Sequence, residues 1–92
     1  MRTWNDYKEY VEKTNPEISK DIKEMEELAT IVSAMISQRN ALGLSQRDLA
    51  KMCNMPQSSV ARIESGKTSP NLNTLLNIFQ HLGLGLSVVD LK

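Results

Sequence analysis

Gln57, Ser58, Ala61 and Arg62 share one face of a helix if the chain from Gln57 to about Ser65 is wound at about 100° per residue. That face has no large apolar side chain. It offers an amide, a hydroxyl, a methyl and a guanidinium, which are groups suited to the edges of base pairs in the major groove. Arg reaches guanine O6 and N7 with two bonds, Gln matches adenine N6 and N7, and a methyl meets the thymine methyl. Each good bidentate contact discriminates by roughly 1–3 kcal/mol. A merely solvated polar face has the same composition, so the reading depends on what precedes it.

What precedes it is a turn between two short helices, Leu44 to Gly66, LSQRDLAKMCNMPQSSVARIESG. Ser45 is an N-cap with Asp48 three residues on, as in a capping box. Leu49, Ala50 and Cys53 face inward at helical spacing. Asn54 falls at the sharp turn and tolerates a left-handed backbone. Pro56 stands where the second helix starts, which proline accepts. Val60 and Ile63 form that helix's buried edge. This is a helix-turn-helix pattern. Gln46, Arg47, Lys67 and Thr68 are then candidates to hold phosphates, with Arg47 equally readable as an ordinary exposed residue. Gln46 opens the first helix of the pair, where backbone N–H groups suit an anion. Lys67 and Thr68 leave the end of the second. Arg39 and Glu64 are opposite charges that could bridge the preceding helix to the base-reading one, which we favour over a DNA contact.

A chain of 92 residues holds one small core plus an extension. One cysteine excludes an internal disulfide and a cysteine metal cluster, and suits a reducing cytoplasm. Cys53 reads as a small buried apolar side chain. No signal-peptide-like start and no bilayer-length apolar run is present, so a cytoplasmic location is expected. The formal net charge of zero, taken alone, argues against nucleic acid. Its distribution does not. Residues 1–30 carry five cations against eight carboxylates, net −3, and residues 31–92 carry six against three, net +3. Such asymmetry suggests two different partners.

The chain divides into an N-terminal helical extension (1–30), a helix-turn-helix domain (31–83) and a C-terminal dimerisation strand (84–92). In the extension, Trp4, Tyr7, Tyr10 and Val11 cluster on one amphipathic face, either as a docking device or as a fold-back onto the body. Asn15 and Pro16 restart the chain as N-cap and first helical residue. The stripe Ile18, Ile22, Met25, Ala29, Val32 and Ile36 then fits one long helix, or two broken near Glu27–Thr30. Gly43 closes it as a left-handed C-cap. Asn71 caps a further helix with Leu72, Leu75, Leu76, Phe79 and Leu82 at helical period. His81, with no cysteine or second histidine near it, reads as a surface or helix-end residue. Leu84, Leu86 and Val88 alternate with smaller residues and Val89, as in a strand. One strand needs a partner, and the same strand of a second copy is the simplest, so we expect a homodimer joined through Leu84, Leu86, Val88 and Val89.

Over about Ile31–Leu82 the text Arg39…LGLSQRDLA…PQSSVARIESGKTSPNLNTLL resembles the lambda/434-repressor-like domain of the Xre helix-turn-helix family. That resemblance implies an all-α bundle in which Gln57, Ser58 and Arg62 read bases, Gln46 and Lys67 hold phosphates, and Arg39 bridges to Glu64. Asn54 departs from the family's usual glycine. The flanks are similar to HigA-type and HipB-type antitoxins, whose terminal strands pair across a dimer in the second case. Their resemblance implies a type II antitoxin that neutralises a small basic RelE/HigB-like messenger RNA endonuclease and represses its own operon at a near-palindromic site. Trp4, Tyr7, Tyr10 and Val11 would be its toxin-binding candidates. The alternative is a stand-alone repressor of the same fold. No catalytic constellation, cofactor loop or metal set is legible, so an enzyme is not expected.

Overall fold

A computed structural model describes residues 3–91. Arg2 and Lys92, counted in the charge balance above, lie outside the described residues. The described residues form five helices: α1 (Trp4–Thr14), α2 (Pro16–Ala41), α3 (Gln46–Met52), α4 (Gln57–Glu64) and α5 (Leu72–Leu82). It divides into two compact units, Met1–Ile31 and Val32–Lys92.

In the first unit, Thr3 caps α1 by accepting a hydrogen bond from the Asp6 amide at 3.0 Å. Asn15 ends α1 and begins α2. Its own amide donates to Val11 O at 2.7 Å, and its Oδ1 accepts from the Ile18 amide at 3.5 Å. Pro16 follows as the first residue of α2, where its missing N–H costs nothing. Helix α2 is continuous over 26 residues, so the break considered near Glu27–Thr30 does not occur. Val11, Ser19 and Ile22 are buried, whereas Ile18 and Met25 of the expected stripe are exposed. A lone eleven-residue helix covers only one edge of such a stripe. Glu26 ties the two helices of this unit together. One of its carboxylate oxygens, Oε2, accepts from the Lys8 ammonium at 2.9 Å and from the Trp4 indole at 3.1 Å. Those two donors, Lys8 foremost, hold the Glu26 carboxyl below its ordinary range.

The second unit has its core in Met35, Leu49, Val60, Ile63, Leu75, Ile78, Phe79 and Leu82. Burying each such side chain is worth roughly 1.5–3 kcal/mol. On α5 the buried set is Leu75, Ile78, Phe79 and Leu82, an i, i+3, i+4, i+7 face. Ile78 was not among the expected inward positions, while Leu72 and Leu76 were and are exposed. Both leucines sit on the edges of the true stripe. Gly43, at φ +72°, turns the chain out of α2, with its amide on Asn40 O and the Leu44 amide on Arg39 O, each at 3.0 Å.

The expected C-terminal strand is absent among the described residues. The Leu84 amide donates to Phe79 O at 2.8 Å, closing α5, and the residues beyond it have no regular structure. The reason is physical. A strand is defined by a ladder of bonds to a neighbour, and this single helical chain supplies no neighbour.

Candidate nucleic-acid interface

The two helices of the turn are fixed at both ends by local chemistry. At the start of α3, Ser45 Oγ accepts from the Asp48 amide and the Asp48 carboxylate accepts from the Ser45 amide, both at 2.9 Å. This reciprocal pair holds the Asp48 carboxyl below its usual value, chiefly through the Ser45 backbone bond. At the other end Asn54 takes φ +56°, the left-handed region expected of it. The Met55 amide then reaches back to Ala50 O at 2.9 Å. Pro56, extended at φ −66° and ψ 145°, delivers the chain into α4.

Helix α4 buries Val60 and Ile63 and turns Gln57, Ser58 and Arg62 to solvent, with Ala61 half-buried between them. The Gln57 and Arg62 side chains make no hydrogen bond within the described residues, so their donors are available to a ligand. Beyond α4 the chain folds back onto its last turn. Arg62 O accepts from the amides of Lys67 at 2.9 Å and Thr68 at 3.4 Å, and from Ser65 Oγ at 3.1 Å. One carbonyl therefore anchors two of the four expected phosphate-binding residues, Lys67 and Thr68, at the end of α4. A shallow groove of about 290 Å³ runs there, with Ser59 and Arg62 on one wall and Thr68, Ser69 and Asn71 on the other. Arg47 lies exposed on α3.

Behind this surface Arg39 and Glu64 meet. Arg39 Nε donates to Glu64 Oε2 at 2.7 Å and Nη2 donates to Oε1 at 2.9 Å, a bidentate fork. Its Nη1 donates to Leu44 O at 2.8 Å. The two side chains are 11% and 6% exposed, so water screens the pair little. Gln46 joins them: its Nε2 donates to Glu64 Oε1 at 2.9 Å. An amide nitrogen carries two hydrogens, so this bond leaves one for another acceptor. The Gln46–Glu64 contact has no counterpart in the sequence reading, which assigned Gln46 to phosphate alone. An exposed-looking Gln at the first position of a helix gives no sign of a partner 18 residues away.

Three further links escaped the sequence. Gln38 Nε2 donates to Leu82 O at 2.9 Å, tying the end of α2 to the end of α5. Asn77 Nδ2 donates to Cys53 O at 3.1 Å, tying α5 to the turn. His81, expected to stand apart from any cysteine, lies 3.8 Å from Cys53 Sγ, with its Nδ1 2.8 Å from Asn77 O. Cys53 is buried, and that burial pushes its thiol upward in pKa, toward the protonated form. These are polar atoms of one packing layer rather than a nucleophilic pair.

The remaining candidates divide by exposure. Trp4 and Tyr10 are about half exposed at 50% and 52%, Tyr7 is stacked on Trp4 with ring centroids 5.6 Å apart, and all three face solvent. Val11 does not: at 4% exposure it belongs to the interior of the first unit, the place a β-branched apolar residue takes once a second helix packs beside it. Leu86, Val88 and Val89 are exposed, and Leu84 is half-buried by its role in closing α5.

The helix-turn-helix family model HTH_3 matches residues 35–89, more than half of the chain. The chain belongs to the helix-turn-helix family, whose members are DNA-binding regulators. It is 35% identical over 89 residues to an uncharacterized HTH-type transcriptional regulator of Haemophilus influenzae, covering 97% of this chain and 86% of that one. Among solved structures it is similar to a chain of a toxin–antitoxin module from Streptococcus pneumoniae. That match has a TM-score of 0.67 and 40% identity, and covers 80% of this chain and 81% of the other. No helix among the described residues is long and apolar enough to cross a membrane.

Removing one member of the buried pair strands the other charge, which costs about 3–5 kcal/mol in such sites. Arg39→Ala is expected to lower the stability of the second unit by that amount in urea denaturation. Arg39→Met combined with Glu64→Leu is expected to cost much less, because no charge is left uncompensated. Equal losses in the single and double variants would mean that the pair acts through shape and not through charge.

Proposed function

We propose that this protein is the antitoxin of a type II toxin–antitoxin system, a homodimer that represses its own operon and neutralises a RelE/HigB-like messenger RNA endonuclease. The observation that carries the reading is the likeness to a toxin–antitoxin chain at 40% identity across four-fifths of both chains. The charge division supports it: a basic helix-turn-helix unit suits DNA, and an acidic, aromatic-bearing helical unit suits a basic protein. Trp4, Tyr7 and Tyr10 are the toxin-contacting aromatics in this reading. Val11 supports them from the interior. Co-expression with the product of the adjacent small basic reading frame is expected to yield a stable complex that loses its nuclease activity. A neighbourhood with no such product, or a product that stays active in the mixture, returns the protein to the stand-alone repressor class.

On DNA, Gln57, Ser58, Ala61 and Arg62 read bases, while Gln46, Arg47, Lys67 and Thr68 hold phosphates. The two roles separate in binding assays. Arg62→Ala is expected to lose roughly 1–3 kcal/mol on the operator and little on random duplex. Lys67→Ala is expected to weaken both alike and to reduce the salt slope by about one. Equal loss on both duplexes for Arg62→Ala would remove it from the base-reading set.

The dimer uses the exposed apolar tail, Leu86, Val88 and Val89, with Leu84 at its root. Two such subunits set α4 and its copy about one DNA turn apart, so the operator is a near-palindrome. A chain ending at Gly85 keeps the α5 closure and is expected to sediment as a monomer. A dimer of unchanged stability would place the subunit contact elsewhere.

A further inference from the structure

Between α1 and the first half of α2 lies a cleft of about 290 Å³, whose lining includes Lys8, Glu9, Glu12, Ser19, Lys23 and Glu26. All of these residues belong to the first unit. Ser19 borders the cleft at 7% exposure, and its hydroxyl makes no hydrogen bond to another described residue, while its backbone amide donates to Asn15 O. Every fully enclosed side-chain polar atom among the described residues has a partner. The Ser19 hydroxyl therefore keeps its small accessible area, and the cleft is the space it borders.

The charges around that hydroxyl are partly spent. Lys8 is taken by Glu26 Oε2. Among the described residues, Glu26 Oε1 has no partner, neither Glu9 nor Glu12 makes a side-chain hydrogen bond or ion pair, and Lys23 is the one cation of this rim without a partner. Two whole carboxylates, a spare carboxylate oxygen and a hydroxyl acceptor thus outweigh one ammonium. The volume far exceeds the roughly 10–15 Å³ that one water needs on the same measure. It lies at the small end of the ~300–1,000 Å³ typical of ligand pockets. A single side chain fits these dimensions better than a free metabolite does. Of the side chains that carry a cation, arginine alone presents a planar fork of five donors to several acceptors at once.

We infer that this cleft is a socket for an arginine side chain projected by a basic protein partner, whose guanidinium meets Ser19 Oγ and the Glu9, Glu12 and Glu26 carboxylates. This deepens the toxin-binding reading and rests on it for the partner's identity. The exposed Trp4–Tyr7 stack then flanks the socket, giving the partner an apolar contact beside the charged one.

The probe is N-acetyl-arginine methylamide, titrated into the full-length protein and followed by amide chemical shifts. N-acetyl-norleucine methylamide serves as the uncharged control. Saturable shifts confined to residues 5–26 are expected with the arginine compound and not with the control. Ser19→Leu, which fills the cleft with a good helix former, is expected to weaken binding about tenfold or more through loss of a charge-assisted bond and of space. Glu9→Gln with Glu12→Gln, which leaves the cleft open, is expected to weaken it several-fold. Preserved amide shifts for the residues of α1 and of 16–31 that do not line the cleft establish that the first unit of each variant is folded. Shifts scattered over all acidic surfaces, or binding unaltered by Ser19→Leu, would overturn the socket. The titration needs no toxin. Loss of the antitoxin reading through failed co-expression is therefore distinguishable from loss of the socket.

Discussion

The second unit depends on one buried ion pair. Arg39 stands near the end of α2 and Glu64 is the last residue of α4. Their fork at 2.7 and 2.9 Å sets where α4 ends relative to α2 behind it. Burial of two charges is expensive, and attraction alone seldom offsets it. Here the remaining donors are also used. Leu44 O takes a third Arg39 hydrogen, and Gln46 supplies Glu64 with a third bond. The pair thus joins four segments: the end of α2, the loop after it, the start of α3 and the end of α4. Helix positions that apolar packing would leave free to slide are pinned by directional bonds.

Around that node the rest of the unit arranges its polar atoms economically. Gln38 satisfies Leu82 O, Asn77 satisfies Cys53 O, and Arg62 O gathers the loop that carries Lys67 and Thr68. Each bond closes a helix end that would otherwise leave backbone groups unpaired. The outer face of α4 is left with side chains that have no internal work. A DNA-reading surface requires this division: rigid behind, uncommitted in front.

Much of this was legible in the residues. Ser45 with Asp48, Asn54, Pro56 and Gly43 are short-range signals, because each acts on backbone within four residues of itself. Arg39 and Glu64 were legible for a different reason, as two opposite charges on separate helices with a family pattern linking them. What failed was of two kinds. Ile78 and Leu72 were exchanged because periodicity locates a stripe but not its centre, and an error of one helical step of about 100° moves an edge residue to solvent. The strand at Leu84–Val89 failed because alternation reports what a segment would do beside a partner. Gln46 with Glu64, and His81 with Cys53, were invisible because pairs 18 and 28 residues apart are set by tertiary packing alone.

Asn54 has a bearing on the ensemble that the folded chain leaves behind. A glycine at φ +56° would adopt the turn without steric penalty, but it would also roam widely once unfolded. Asparagine roams less, so folding surrenders less disorder at this position, offsetting part of its own left-handed strain. Residues with a short polar side chain, or none, are the ones that enter this region at low cost. At the sharpest bend of the DNA-binding motif, backbone conformation and not packing therefore sets which residue is tolerated.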